Sequence, residues 1–173
     1  MLDQDYTFRV GRIEHVYRQG TPFYPKDVVL LRLIQENYRW RPVYFSTTAG
    51  SDSWLGLDDY LTQEAMVFRL HPVTAPDRAR LEDGFLGAPL DVPRTDTLAW
   101  HVYRYANPFQ ADSLDLEPAA AGIASNLSVP FISLGQAYSV RNDRERSLLN
   151  FRAAYRLSPG VELKALIDSL ARR

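Results

Sequence analysis

The sequence predicts a mixed α and β protein, of α+β or α/β class: a small α/β unit followed by a helical hairpin with flanking helices. Two observations carry this. Apolar residues at helical spacing from Lys26 to Asn37 are followed by two short apolar runs, Val43 to Phe45 and Ala65 to Leu70, each of strand length. Beyond Pro118 helical composition prevails, and two apolar-faced segments meet across an Asn142-Asp143 turn. Between these parts lies a stretch dense in proline and glycine, so the chain divides into residues 1–72, 73–113 and 114–173.

The first unit opens ambiguously. Phe8, Val10, Ile13, Val16 and Tyr17 lie among charged residues, with Gly11 and Gly20 as breaks, and fit neither period 2 nor 3.6 cleanly. A strand and a short helix both stay open. Pro22 and Pro25 impose an extended connection. Val28, Leu30, Leu31, Leu33 and Ile34 then form the broad apolar face of one helix ending near Asn37. Arg41-Pro42 breaks that pattern, and Val43-Tyr44-Phe45 reads as a short buried strand. A polar loop over Thr47 to Ser53 and a helical turn over Leu55 to Leu61 lead to the second strand, closed by Pro72. Parallel pairing of the two strands through a right-handed crossover is the default expectation.

The connection holds Pro76, Pro89 and Pro93 with Gly84 and Gly87, and reads as irregular. Leu81, Phe85, Leu86 and Leu90 need a surface to pack on, so it is draped rather than free. Residues 98–112, with Trp100, Val102, Tyr103, Tyr105 and Phe109, form a short helix or an aromatic loop.

The helical part carries a repeat signature. Set against the tetratricopeptide pattern, about 34 residues long, Phe131, Leu134-Gly135 and Tyr138 match the first helix, and Phe151, Ala154 and Pro159 the second. Gly135 lets two helices approach closely, Tyr138 and Phe151 fill the space between them, and Ala154 keeps the contact thin. Ser147 departs, standing where a small alanine is expected. Ser128 reads as the cap of the first helix with Pro130 in its first turn, and Pro159-Gly160 ends the second. Leu114 to Asn126 supplies a preceding helix and Val161 to Ala171 a closing one. Repeat arrays need about three units, so one hairpin between flanking helices fits a structural bundle better than a peptide groove.

Composition narrows the chemistry. Twenty basic and 21 acidic residues give a net charge of −1 with the basic residues scattered, which argues against nucleic acid as a partner. With no cysteine there is no disulfide, thiolate nucleophile or cysteine-held metal. No apolar run approaches the roughly 20 residues of a membrane span, and the start lacks the apolar core of a signal peptide. His15, His71 and His101 fall in no metal-type spacing and read as surface or capping residues. Asp58 and Asp59 near Glu64 read as solvated or capping carboxylates, and Ser51-Asp52-Ser53 lacks the setting of a nucleophile elbow. Asn126-Leu127-Ser128 fits a glycosylation sequon. No catalytic, cofactor or metal site is expected.

One segment is familiar. Asp27 heads the apolar helix, Asn37 lies near its end, and Arg41-Pro42-Val43-Tyr44-Phe45-Ser46 follows; Leu57, Tyr60-Leu61, Glu64 and Phe68-Arg69-Leu70-His71-Pro72 complete it. This order resembles the soluble C-terminal region of bacterial multi-spanning membrane proteins related to protein O-mannosyltransferases of the GT-C type, in which a tetratricopeptide-like tail follows. Ala65 stands where that family tends to have glycine, which implies a turn that avoids positive φ. The family's catalytic acid and lipid-linked sugar site belong to its membrane-embedded part, so no catalytic residue carries over. The resemblance implies a non-catalytic accessory or interaction domain on the extracytoplasmic, periplasmic face, contacting a protein partner or the membrane-embedded part of a larger chain. The alternative is a free-standing cytoplasmic interaction or self-assembling module, a homo-oligomer included, with Trp54, Trp100, Tyr103 and Tyr105 as exposed contact anchors.

Overall fold

Phe8 and Val10 face inward on β1 (Tyr6–Val10), and Ile13 and Tyr17 do so on β2 (Ile13–Tyr17), so the ambiguous opening is an antiparallel hairpin with Val10 opposite Ile13 and Tyr6 opposite Tyr17. Its two-residue turn needs positive φ at the first position, and Gly11 supplies it at φ 58°. A side chain there would also collide with the Pro72 carbonyl, which accepts the Arg12 N–H at 2.7 Å.

The computed structural model describes residues 2–72, 76–77, 81–104 and 117–172. It is mixed α and β, as predicted, and falls into two units: Met1–Thr62 with Val67–Ala79, and Gln63–Met66 with Arg80–Arg173.

In the first unit α1 (Pro25–Asn37) starts where predicted. Pro25 suits the first helical turn, and the buried Asp27 carboxylate reaches back to accept the Tyr24 N–H at 2.8 Å. Leu31 and Ile34 bury one face, and Gln35 donates to the Arg9 carbonyl at 3.1 Å, tying the helix to β1. β3 (Tyr44–Ser46) and β5 (Val67–Leu70) pair antiparallel, with Phe45 opposite Phe68. This corrects the parallel expectation. The helical segments between them are short turns, at Ser51–Trp54 and Asp58–Tyr60, with no crossover helix. The same stretch also holds a further strand, β4 (Leu61–Glu64), which ends in the tight Ala65-Met66 turn and so delivers β5 reversed.

Ala65 in that turn has φ 56°, against the expectation of a turn without positive φ. Its N–H donates to the Thr95 hydroxyl oxygen at 3.0 Å and its carbonyl accepts from Gln63 Nε2 at 2.9 Å, so hydrogen bonds hold the strained conformation. Ala65→Gly relieves a left-handed alanine that costs roughly 1–2 kcal/mol against roughly 0.5–1 kcal/mol of glycine entropy. A higher melting midpoint is expected, and a lower one would show that the turn is not strained.

In the second unit the stretch expected to be irregular carries elements of its own. Gln63 of β4 lies parallel to Leu90 of β7 (Pro89–Leu90), which pairs antiparallel with β6 (Glu82–Asp83). Asp91 caps α2 (Val92–Thr97) by accepting the Arg94 N–H at 3.0 Å, and a π-helical turn, Leu98–Val102, continues it. Then come α3 (Pro118–Val140), α4 (Arg144–Leu157) and α5 (Val161–Arg172).

The preceding helix and the first hairpin helix are one. Ser128 is no cap but lies inside α3, its hydroxyl donating to the Ser125 carbonyl at 2.6 Å, and Pro130 sits mid-helix. A proline there forfeits one backbone bond; burial of Val129, Phe131 and Leu134 around it offsets the loss. The expected part of that preceding helix at residues 114–116 lies outside the described residues. α3 ends in a Schellman motif: Asn142 at φ 60° donates to the Ser139 carbonyl at 3.0 Å, and Asp143 N–H to that of Tyr138 at 2.9 Å. The core of this unit joins Leu90, Val92 and Ala99 to Phe131, Leu134, Ala137, Tyr138, Ala153, Ala154 and Leu157.

Candidate functional site

The surface feature with the most distinctive chemistry lies where α1 hands over to β3. Asn37 closes the helix: its amide donates to the Leu33 carbonyl at 2.8 Å, and its own carbonyl accepts both Trp40 N–H and Arg41 N–H at 2.9 Å. Pro42 disfavours helical backbone at Arg41, so the chain turns out instead of continuing. It joins the sheet where the Val43 carbonyl accepts the Leu70 N–H at 2.9 Å. The turn leaves a groove of about 330 Å³ lined by Tyr38, Arg39, Trp40, Arg41, Pro42 and Val43 from one side and Arg69, Leu70 and Pro72 from the other.

Three arginines and one tryptophan therefore line this groove. Trp40 is 83% exposed, unusual for so large an apolar ring. Arg39 Nε donates to the Tyr38 phenol oxygen at 2.9 Å, which holds that phenol below its usual pKa. Among the described residues no carboxylate lines the groove. The arrangement suits anion recognition by charge-assisted hydrogen bonds, with a flat ring available for stacking or insertion. Sequence reasoning singled out Arg41-Pro42 and the run containing Arg69 but not Arg39 or Trp40; an aromatic bracketed by arginines just past a helix end was the available signal.

The other familiar residues are structural. Asp27 and Asn37 cap the two ends of α1, Phe45 is buried, Tyr44 is exposed, and the Tyr60 carbonyl accepts the His71 N–H at 2.8 Å. Glu64 falls in the second unit, buried and ion-paired to Arg94 at 3.7 Å. Its neighbour Gln63 is the hub that sequence reasoning missed. Fully buried, its Oε1 accepts from Phe85 N–H at 2.6 Å and from the Ser133 hydroxyl at 3.2 Å, while its backbone carbonyl accepts from Asp91 N–H at 3.0 Å.

The hairpin residues meet at the α3–α4 contact. A Cβ on Gly135 would come within 2.6 Å of the Phe151 ring. Ser147 is fully buried, and its hydroxyl donates to the Gly135 carbonyl at 2.9 Å, which gives the departure from alanine a physical reason. The Tyr138 phenol donates to Asp96 at 3.2 Å, and burial raises its pKa. Pro159 follows α4 at the break before α5.

Of the aromatics expected to be exposed anchors, Trp54 is a core residue, 2% exposed with its ring edge-on to Phe68 at 4.7 Å; its apolar area outweighs an indole N–H left without a partner among the described residues. Trp100 is half-buried, edge-on to Phe131 and donating to Asn150 at 3.1 Å. Tyr103 is half-buried, and desolvation raises its pKa. Tyr105 lies outside the described residues.

Among the described residues no group of three or more His, Asp or Glu is placed to hold a metal ion, and no helix is long and apolar enough to cross a membrane. These features define a two-unit α+β chain, the first unit bearing a basic, tryptophan-capped groove and the second built around a helical hairpin. Residues 3–86 match the family model described as TMEM260-associated domain 2, a domain linked to a membrane protein family. That match spans the hairpin, α1, the groove and both strands β3 and β5. Neither a curated protein nor a solved structure matches the chain.

Proposed function

We propose that this chain is a non-catalytic accessory module of a membrane protein O-glycosyltransferase, placed on the extracytoplasmic side, where it contacts a protein partner or the membrane-embedded part of a larger chain. The observation that carries this reading is the match of residues 3–86 to a domain linked to a membrane protein family. The order of Asp27, Asn37, Arg41-Pro42, Tyr44-Phe45 and Tyr60 supports the glycosyltransferase relationship by resemblance. The second unit is read as a tetratricopeptide-like hairpin acting as a scaffold, a reading supported by the close seat of Gly135 on Phe151 and the burial of Tyr138 and Ala154.

An antibody raised against the chain and used on fractionated native cells tests the proposal. A band in the membrane fraction, well above 19.8 kDa on a denaturing gel, is the expected result. A band at 19.8 kDa in the soluble fraction would overturn it in favour of a free-standing interaction module.

A further inference from the structure

We infer that the groove at the end of α1 is a docking site for an anionic phospholipid surface, with Trp40 seated at headgroup level and Arg39 and Arg41 bound to lipid phosphates. This stands apart from the glycosyltransferase reading and holds for the chain whether or not it accompanies an enzyme.

Three observations converge on it. Trp40 is 83% exposed, on a turn where its neighbours on both sides are arginines lining the same groove, with Arg69 opposite. An indole combines an apolar body with one N–H and settles at membrane–water interfaces, and guanidinium groups take phosphate oxygens in pairs. The helix that leads into this turn also presents apolar side chains outward: Val29 and Leu33, one turn apart, are 58% and 53% exposed. Glu36, on the same helix, is ion-paired with Arg32 at 3.1 Å. A net charge of −1 gives the chain no general attraction to anions, so local charge must supply it, and the arginines of the groove do. A shallow groove beside an outward-standing ring suits insertion into a soft interface. Binding in a closed pocket would bury the ring.

The full chain, sedimented with phosphatidylcholine vesicles with and without phosphatidylserine, tests this. Binding to the serine-lipid vesicles only, weakened by salt and accompanied by a blue shift of tryptophan emission, is expected. Trp40→Phe should abolish that shift, because Trp54 is already buried and Trp100 is half-buried and already bonded to Asn150. The double variant R39Q/R41Q should lower vesicle affinity by roughly twenty-five-fold, about fivefold for each arginine. All these side chains are exposed, so circular dichroism of the variants should match the parent. Equal binding to both vesicle types, or affinity unchanged in R39Q/R41Q, overturns the proposal. So does a Trp40 emission change produced by inorganic phosphate without sedimentation, which would assign the groove to a soluble phosphate ligand.

Discussion

Gly135→Leu should loosen or unfold the second unit. Even the first carbon of a side chain at this position would lie 2.6–2.9 Å from three atoms of the Phe151 ring, closer than real contacts allow. The ring is 1% exposed on α4, within an interior that packs closely. A leucine must therefore part α3 from α4 or drive Phe151 off its rotamer, at a cost of at least roughly 1–3 kcal/mol. The separation would also stretch the Ser147 hydroxyl bond to the Gly135 carbonyl, now 2.9 Å. Thermal unfolding followed by circular dichroism checks this: a clear fall in the melting midpoint is expected, and an unchanged midpoint would mean that the two helices are not in close contact at Gly135.

Gln63→Ala should be at least as damaging. Its side chain serves the Ala65 carbonyl, the Phe85 N–H and the Ser133 hydroxyl at once, at 2.9, 2.6 and 3.2 Å, from a site with no exposure to water. Truncation leaves these groups unpaired, at about 1–3 kcal/mol for each one that stays buried. It also opens a cavity. A total loss of about 3 kcal/mol or more is expected from denaturant unfolding, with faster hydrogen exchange at the Phe85 amide. Gln63→Met separates the two contributions, since it keeps the volume and removes the bonds. If Met is as stable as the parent, the hydrogen-bond hub contributes little and packing alone accounts for the site.

The two variants probe kinds of information that differ in how visible they were beforehand. Gly135 was legible because a helix records its neighbours locally: the spacing of Phe131, Leu134, Gly135 and Tyr138 specifies which residues share a face. Nothing of the sort marks Gln63. β4 reads Leu-Thr-Gln-Glu, a composition expected of a surface, yet all four residues are buried. Gln63 and Glu64 are tolerated because partners distant in sequence meet them, Phe85 and Ser133 for Gln63 and Arg94 for Glu64, while the Thr62 hydroxyl has no partner among the described residues. The missed hairpin has a different cause. β1 alternates, β2 does so only at Ile13 and Tyr17, and the Gly11-Arg12 turn reverses the chain and resets the phase, so a single window over both finds no period. Two aromatics illustrate the reverse error. Trp54 and Trp40 look equally free in sequence; the first fills a core against Phe68 and the second stands in solvent.

By itself the sequence determined the α+β class, the position of α1 and the pairing of α3 with α4, because each rests on periodicity, capping and turn chemistry that act over a few residues. Tertiary structure alone decided that β3 and β5 run antiparallel, that a polar strand lies buried before Ala65, and that Arg39, Trp40 and Arg41 share a groove with Arg69. Those outcomes depend on contacts between residues far apart in the chain, and only the folded path brings them within hydrogen-bonding or electrostatic reach.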